Sequence, residues 1–307
     1  MKTGDESIHI VTTLDSNYIQ HCGVMLSSLF LNNPHYSFTI WLIIDFEDNR
    51  ELKKLSKFIK SRNHLLKIIK IGGDQVRHFQ TVHHITTATY YRLLIPDLVD
   101  LTLKRILYLD VDIIVKQDIF SLWSIPLDTN VITAVTEHGF NRHSELRLNK
   151  DAKYFNAGVL LINLEKWREK EITKKILAFL EKEHQNLTML EQDALNIILA
   201  DDWKEISLSW NLTTNAFGLQ LHSLDPLIQK EIEESIKLPN IIHYTGSSKP
   251  WHYLNTHPLK QEYYYYLSFT PWKSFKHIEE THWHKIKQRF KRFLNLVSGK
   301  NIFEIYN

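Results

Sequence analysis

In the stretch ILYLDVDIIV, Ile106 to Val115, two aspartates interrupt an otherwise apolar run. If the stretch is one strand, Asp110 and Asp112 share a face and Val111 takes the other, because strand side chains alternate. Two carboxylates on one face repel, and burial makes the repulsion worse. Going forward along the chain, the first basic residue after the pair is Lys116. Shared protonation, salt partners from elsewhere in the fold, or a divalent cation would relieve the strain. A bare D-x-D also occurs where the polar end of a strand meets water. Here Ile113, Ile114 and Val115 continue the apolar run instead.

A cation needs a third ligand. Of the 17 histidines, His243 in IIHYTGSSKPWH stands out, because it follows an apolar pair and precedes Gly246, Ser247, Ser248 and Lys249. A small-residue loop lets backbone N–H groups approach an anion, and the lysine adds a point charge. The loop lacks the G-x-x-x-x-G-K-[ST] pattern of a P-loop. Two carboxylates and an imidazole form a mixed oxygen and nitrogen set, which suits Mn²⁺ (with Mg²⁺ the alternative) better than Ca²⁺ or a structural zinc. Phosphate oxygens would complete the coordination, and the charge would stabilise a departing nucleoside diphosphate.

The elements that must carry these groups alternate between strand and helix patterns. Ile8–Leu14, Ser37–Ile44, Leu65–Ile71, Ile106–Val115, Val131–Val135 and Gly158–Leu164 are predicted strands. Tyr18–Leu31, Glu47–Arg62, Thr86–Leu98, Lys166–His184 and Leu190–Leu199 are predicted helices, the first buried on one side. This order predicts an α/β fold with a mainly parallel central sheet covered on both faces. In such sheets ligands bind beyond the carboxyl ends of the strands.

Composition sets outer limits. The 307 residues are 43 % hydrophobic and 23 % charged, ordinary for a globular chain, and the net charge of +2 gives no global reason to expect nucleic acid. Cys22 is the only cysteine, so no intrachain disulfide is expected. The N-terminus has no apolar h-region, and no apolar run approaches the ~18 residues of a membrane span. Residues 1–258 are predicted to be the catalytic domain, and 259–307 a helical basic segment. In that segment Trp283, Ile286, Phe290, Phe293 and Val297 fall on one helical face, flanked by Lys285, Lys287, Arg289, Lys291 and Arg292. Such a stripe, within 283–300, serves either a membrane surface or a contact with the body or another subunit. The expected location is the cytoplasm, peripheral at the inner face of the membrane, with the oligomeric state open.

The segments IVTTLDSNY, YYRLLIPDL, ILYLDVDIIV, YFNAGVLLINLEKW, LEQDALN and IIHYTGSSKPWH, in that order, resemble the family 8 retaining glycosyltransferases. These include bacterial lipopolysaccharide galactosyl- and glucosyltransferases and glycogenin. The resemblance runs from about Ile8 to His252. It implies a GT-A fold, a UDP-hexose donor, Mn²⁺ and a glycan, glycolipid or glycoprotein acceptor. By position it implies Asp110, Asp112 and His243 as metal ligands, and Asp15, Asn17 and Tyr18 at the uracil and ribose, with Thr13 and Val111 beside them. Gly246 and Lys249 match the diphosphate contacts, and Trp251 closes their loop. Arg92, Asn156 and Ala157 match residues near the donor sugar, and Gln192 the residue on the β-face of the transferred sugar. Glu191 and Glu137 stand where the family commonly has aspartate, so the identity of the sugar rests on them.

The residues themselves agree in kind. Asn156-Ala157-Gly158 breaks an apolar run with small and polar groups, as a ligand approach or a bulge would. Glu191, Gln192 and Asp193 open a helix, where acidic residues also favour the dipole. An amide is a poor nucleophile, so Gln192 points to attack from the leaving-group face, with Glu191 or Asp193 the nucleophiles of a covalent alternative. The competing classes are a metal-dependent phosphohydrolase or nucleotidyltransferase, and a non-catalytic sugar-nucleotide-binding module.

Overall fold

The structure, a computed structural model, describes residues 7–72, 90–183 and 187–278. Seven strands form one twisted sheet: β1 (Ile8–Thr13), β2 (Phe38–Ile44), β3 (Leu65–Lys70), β4 (Arg105–Leu109), β6 (Ile132–Thr136), β7 (Phe155–Asn163) and β8 (Trp203–Ile206). Their order is β3-β2-β1-β4-β7-β6-β8. β1 to β4 run parallel, β7 is antiparallel to both neighbours, and β6 is parallel to β8. The sheet is thus mixed and mainly parallel, as in a GT-A fold. Along β4 the burial alternates. Leu107 and Leu109 join a core with Ile10, while Ile106 and Tyr108 join a second core with Val11.

The expected strand Ile106–Val115 is two strands. β4 ends at Leu109, Asp110 to Asp112 form a turn, and β5 (Ile113–Val115) enters a separate sheet of order β5-β10-β9 with β9 (Leu212–Thr213) and β10 (Ile241–His243). The aspartates therefore converge through a turn and not through strand alternation. The break is invisible in hydropathy because β5 is as buried as β4.

Other boundaries also moved. The helix expected from Lys166 is two helices, Leu164–Glu169 and Ile172–Glu183, separated at Glu171, whose φ is 50°. In one straight helix Trp167 and Ile172 would point about 140° apart; the break lets both be buried. Within the expected helix Thr86–Leu98, residues 86–89 lie outside the described residues. Tyr91–Leu94 form a 3₁₀ turn leading into the short helix Ile95–Leu98. α1 (Ile19–Asn32) is buried on nearly all sides. It lies between the sheet and the helix Lys260–Leu267, to which it is tied by His21–Tyr263 and Asn32–Tyr266 hydrogen bonds of 2.8 and 2.7 Å. A methyl group at Gly23 would sit 2.4 Å from the Trp272 ring, so only glycine allows that packing. Coverage of the sheet is incomplete at its edge: in β3, Leu65 and Ile68 are 64 % and 39 % exposed.

Among the described residues no helix is long and apolar enough to cross a membrane. The basic amphipathic stripe at 283–300 lies outside the described residues.

Candidate active site

β1 and β4 are parallel neighbours, with Ile10 opposite Leu107 and Val11 opposite Tyr108. Their carboxyl ends therefore deliver Thr13 and Asp110 to the same rim. The strand order reverses here, since β2 and β3 extend to one side and β7, β6 and β8 to the other. That is where an open α/β sheet leaves a crevice. A cavity of about 660 Å³ opens at this point.

His243 arrives through the small sheet. β10 pairs antiparallel with β5, placing His243 opposite Ile113, next to Asp112. Its Nε2 lies 3.6 Å from Asp110 Oδ2 and 3.3 Å from Asp112 Oδ1. One ligand atom from each of the three residues lies within 4.8 Å of the others. Gly158 makes the convergence sterically feasible: a Cβ there would stand 2.2 Å from His243 Cε1 and 2.7 Å from Asp110 Oδ2.

The remaining carboxylate oxygens are already engaged. Asp110 Oδ1 accepts from Arg92 at 3.1 Å and from Tyr108 Oη at 2.5 Å. Asp112 Oδ2 accepts from Lys249 Nζ, which also donates to the Tyr244 carbonyl at 2.8 Å. Burial opposes ionisation of Asp112, but Lys249 and His243 prevail and hold its carboxyl well below the usual range. Arg92 is 7 % exposed; burial weakens its charge, yet Asp110, Tyr108 and Glu191 hold the guanidinium firmly protonated. This donor set suits a divalent cation: two hard carboxylates and one imidazole nitrogen face a common point, with positive charges already set behind them.

The same cavity is also lined by Glu137, Asn156, Glu191 and Gln192, which form its second group of residues. Glu137 accepts from Asn156, Thr213 and Asn215 at 3.1, 3.2 and 3.0 Å. Gln192 accepts from the Ala157 N–H at 2.9 Å and donates to Tyr154 at 3.2 Å. The helix Leu190–Ile198 is fixed by Asn196, which accepts from the Phe155 N–H at 2.7 Å and donates to its carbonyl at 2.9 Å. Asp193 is fully buried and accepts from Arg142, Tyr154, and the N–H groups of Thr188 and Met189. Glu191 contrasts with it. Its Oε2 is buried with no hydrogen-bond partner among the described residues. Burial pushes its carboxyl up to about 7, against the pull of Arg92.

Of the residues singled out from sequence, Thr13, Asp15, Tyr18, Arg92, Asp110, Val111, Asp112, Glu137, Asn156, Glu191, Gln192, His243, Gly246 and Lys249 line this one cavity. Gly246 has φ of 83°, a conformation that favours glycine in the loop. Asn17, Ala157, Asp193 and Trp251 do not line it. The Asn17 N–H donates to Asp15 at 2.8 Å and shapes that turn. Ala157 serves through its backbone, giving its carbonyl to Arg92 at 2.7 Å. Trp251 is 3 % exposed, stacks on His21 at 3.5 Å, and supports Tyr18 edge-on at 5.8 Å. Asn156-Ala157-Gly158 lies within β7, and the register shift between Thr133 and Val135 beside it fits the bulge expected there. Sequence reasoning missed Arg142, Tyr154 and Asn211, each brought in by long-range pairing. The one local signal is that Tyr154 opens the segment YFNAGVLLINLEKW.

Comparison with known proteins agrees with this geometry. Residues 9–255 match the family model Glycosyl transferase family 8. The sequence is 35 % identical over 279 residues to General stress protein A of Bacillus subtilis (strain 168), covering 88 % of this chain and 96 % of that protein. It is 28 % identical over 303 residues to a Lipopolysaccharide 1,2-glucosyltransferase of Escherichia coli (strain K12), covering 96 % and 88 %. The crystal structure of the galactosyltransferase LgtC with donor and acceptor sugar analogs superposes with a TM-score of 0.77. That pair is 23 % identical and covers 86 % of this chain and 96 % of LgtC, a likeness of fold. The chain belongs to glycosyl transferase family 8.

Proposed function

We propose that this enzyme transfers galactose or glucose from a UDP-sugar to a glycan hydroxyl, with retention at the anomeric carbon and dependence on Mn²⁺. The observation that carries this reading is the meeting of Asp110, Asp112, His243 and Lys249 in a cavity that is also lined by Glu137, Asn156, Glu191 and Gln192; we take the first group as the cation end and the second as the sugar end. One end suits a diphosphate and the other a hexose.

Asp110, Asp112 and His243 would hold the cation, which supplies positive charge against the developing charge of the leaving UDP. Lys249 adds a second charge at the same end, and Asp15 and Tyr18 line the nucleoside side. At the sugar end Asn156 and Glu137 offer a donor and an acceptor to hydroxyl groups. Glu191 lines the same region with a carboxyl whose Oε2 is buried and unpartnered among the described residues. Gln192 has both ends of its amide held by the protein, and Asp193 has its carboxylate saturated by donors, so neither is set to attack carbon. That favours attack from the leaving-group face, with a phosphate oxygen taking the acceptor's proton. Glu191 is the remaining candidate for a covalent route.

The matched lipopolysaccharide glucosyltransferase supports a role in cell-surface glycan synthesis. The basic aromatic stripe of 283–300 would hold the enzyme peripherally at the inner face of the membrane, near a lipid-linked acceptor.

The test is a screen of common UDP-hexoses and UDP-hexosamines with Mn²⁺. UDP release from UDP-galactose or UDP-glucose is expected. Release from no donor would contradict the reading.

A further inference from the structure

Behind the cavity wall a chain of buried side chains links its two ends. Asn211 closes a 3₁₀ turn (Leu208–Asn211) just before β9, whose Thr213 pairs with His243 of β10. Its side chain is fully buried and lines no part of the cavity. It lies 2.8 Å from His243 Nδ1 on one side and 2.9 Å from Asn156 Oδ1 on the other.

The polarity of this chain follows from its fixed ends. The Gly158 N–H can only donate, and it meets Asn156 Oδ1 at 3.0 Å. The Glu137 carboxylate accepts, and it meets Asn156 Nδ2 at 3.1 Å. Asn156 is therefore oriented with its oxygen toward Asn211, so Asn211 must present its NH₂ there. That leaves Asn211 Oδ1 facing His243, and an acceptor facing Nδ1 requires Nδ1 to carry a proton. With a proton fixed on Nδ1, Nε2, which faces Asp110 and Asp112 at 3.6 and 3.3 Å, is the nitrogen that can give its lone pair to a cation there. A partner on the distal nitrogen of this kind fixes the tautomer and ring orientation of metal-bound histidines.

We propose that Asn211 is a positioning residue. It locks His243 as the Nδ1–H tautomer with Nε2 presented to a divalent cation, and through Asn156 it couples that ligand to Glu137 at the sugar end. This rests on the cation site proposed above. Asn211→Ala removes both bonds. Asn211→Asp keeps an acceptor for Nδ1–H but loses the donor to Asn156. The two substitutions therefore separate ligand orientation from the coupling.

Two measurements test it on the full chain. The first is the side-chain ¹⁵N spectrum of metal-free protein, with the His243 signals assigned by their loss in His243→Gln. A proton on Nδ1 is expected, in the imidazolium or in the Nδ1–H tautomer; a neutral ring protonated only at Nε2 would overturn the proposal, whatever the outcome of any substitution. The second is Mn²⁺ titration followed by electron paramagnetic resonance, with near-ultraviolet circular dichroism as the check on folding. Asn211→Ala should weaken Mn²⁺ binding roughly 10–100-fold, the usual cost of losing such a partner. Asn211→Asp should restore most of that affinity while raising the KM for the UDP-sugar. Native affinity in a folded Asn211→Ala variant would overturn the proposal. Absence of Mn²⁺ binding by the unsubstituted chain would sink the cation site itself, a failure distinct from a wrong tautomer.

Discussion

The two ends of the cavity are built on opposite electrostatic plans. At the cation end, carboxylates are paired with Lys249, Arg92 and His243, and burial is outweighed, so Asp112 stays ionised. At the sugar end, amides and hydroxyls donate to the carboxylates of Glu137 and Asp193, and burial wins at Glu191, whose carboxyl is pushed up to about 7. The difference shows how one cleft handles a charged diphosphate and a neutral sugar. Concentrated charge serves the first; directional hydrogen bonds serve the second.

Substitutions at each end should fail differently. Asp112→Ala is expected to have the largest effect. It removes a cation ligand and leaves Lys249, which is 13 % exposed, without its partner. UDP-sugar turnover should fall by about three orders of magnitude, the scale on which strong electrostatic groups act in catalysis. Near-normal turnover would erase the distinction between the ends.

Gly158→Ala should come next. Its Cβ would press on both His243 and Asp110, and displacement of reacting groups by about 1 Å can cost roughly 100-fold in rate. The variant should lose affinity for Mn²⁺ in parallel. Normal Mn²⁺ binding would show that the convergence is looser than the geometry indicates.

Glu191→Gln probes the other end through pH. The carboxyl titrates near 4.5 when unfolded and about 7 when folded, so its protonated form is favoured by folding. The stability it contributes is fully present below pH 4.5 and lost as pH rises through 7. Across that window the loss is on the order of 3 kcal/mol. Glu191→Gln should abolish that slope in chemical-denaturation curves recorded from pH 4.5 to 8. An unchanged slope would assign it elsewhere.

Tyr154→Phe should have the smallest effect. It removes one donor from Asp193 and the acceptor of the Gln192 amide. A stability loss of about 1.5–3 kcal/mol is expected from the lost bond to a charged group. Mn²⁺ affinity should not change, because Tyr154 belongs to the sugar end.

The cation end was legible in sequence because its signals are local. D-x-D and H-x-x-G-S-S-K each carry chemistry within a few residues. The α/β alternation was legible for the same reason, since each amphipathic or apolar segment reports its own burial. What escaped depends on pairing across the chain. Hydropathy is equally apolar on both sides of Asp110–Asp112, so it cannot show that β5 leaves the main sheet. The burial of α1 on its second side depends on Tyr263, Tyr266 and Trp272, which no pattern within α1 reveals. Asn211 and Arg142 carry no motif, and Tyr154 opens the quoted YFNAGV segment with nothing there to mark its role; their roles arise from hydrogen bonds to residues distant in sequence.

The central claim is that Asp110, Asp112 and His243 hold a cation that in turn holds the diphosphate. Calorimetric titration of the protein with UDP, with and without Mn²⁺, tests it most directly. UDP should bind at least about tenfold more tightly with Mn²⁺ present, a coupling of about 1.4 kcal/mol, and His243→Ala should remove the difference. Equal UDP affinity in the presence and absence of Mn²⁺ would contradict the account.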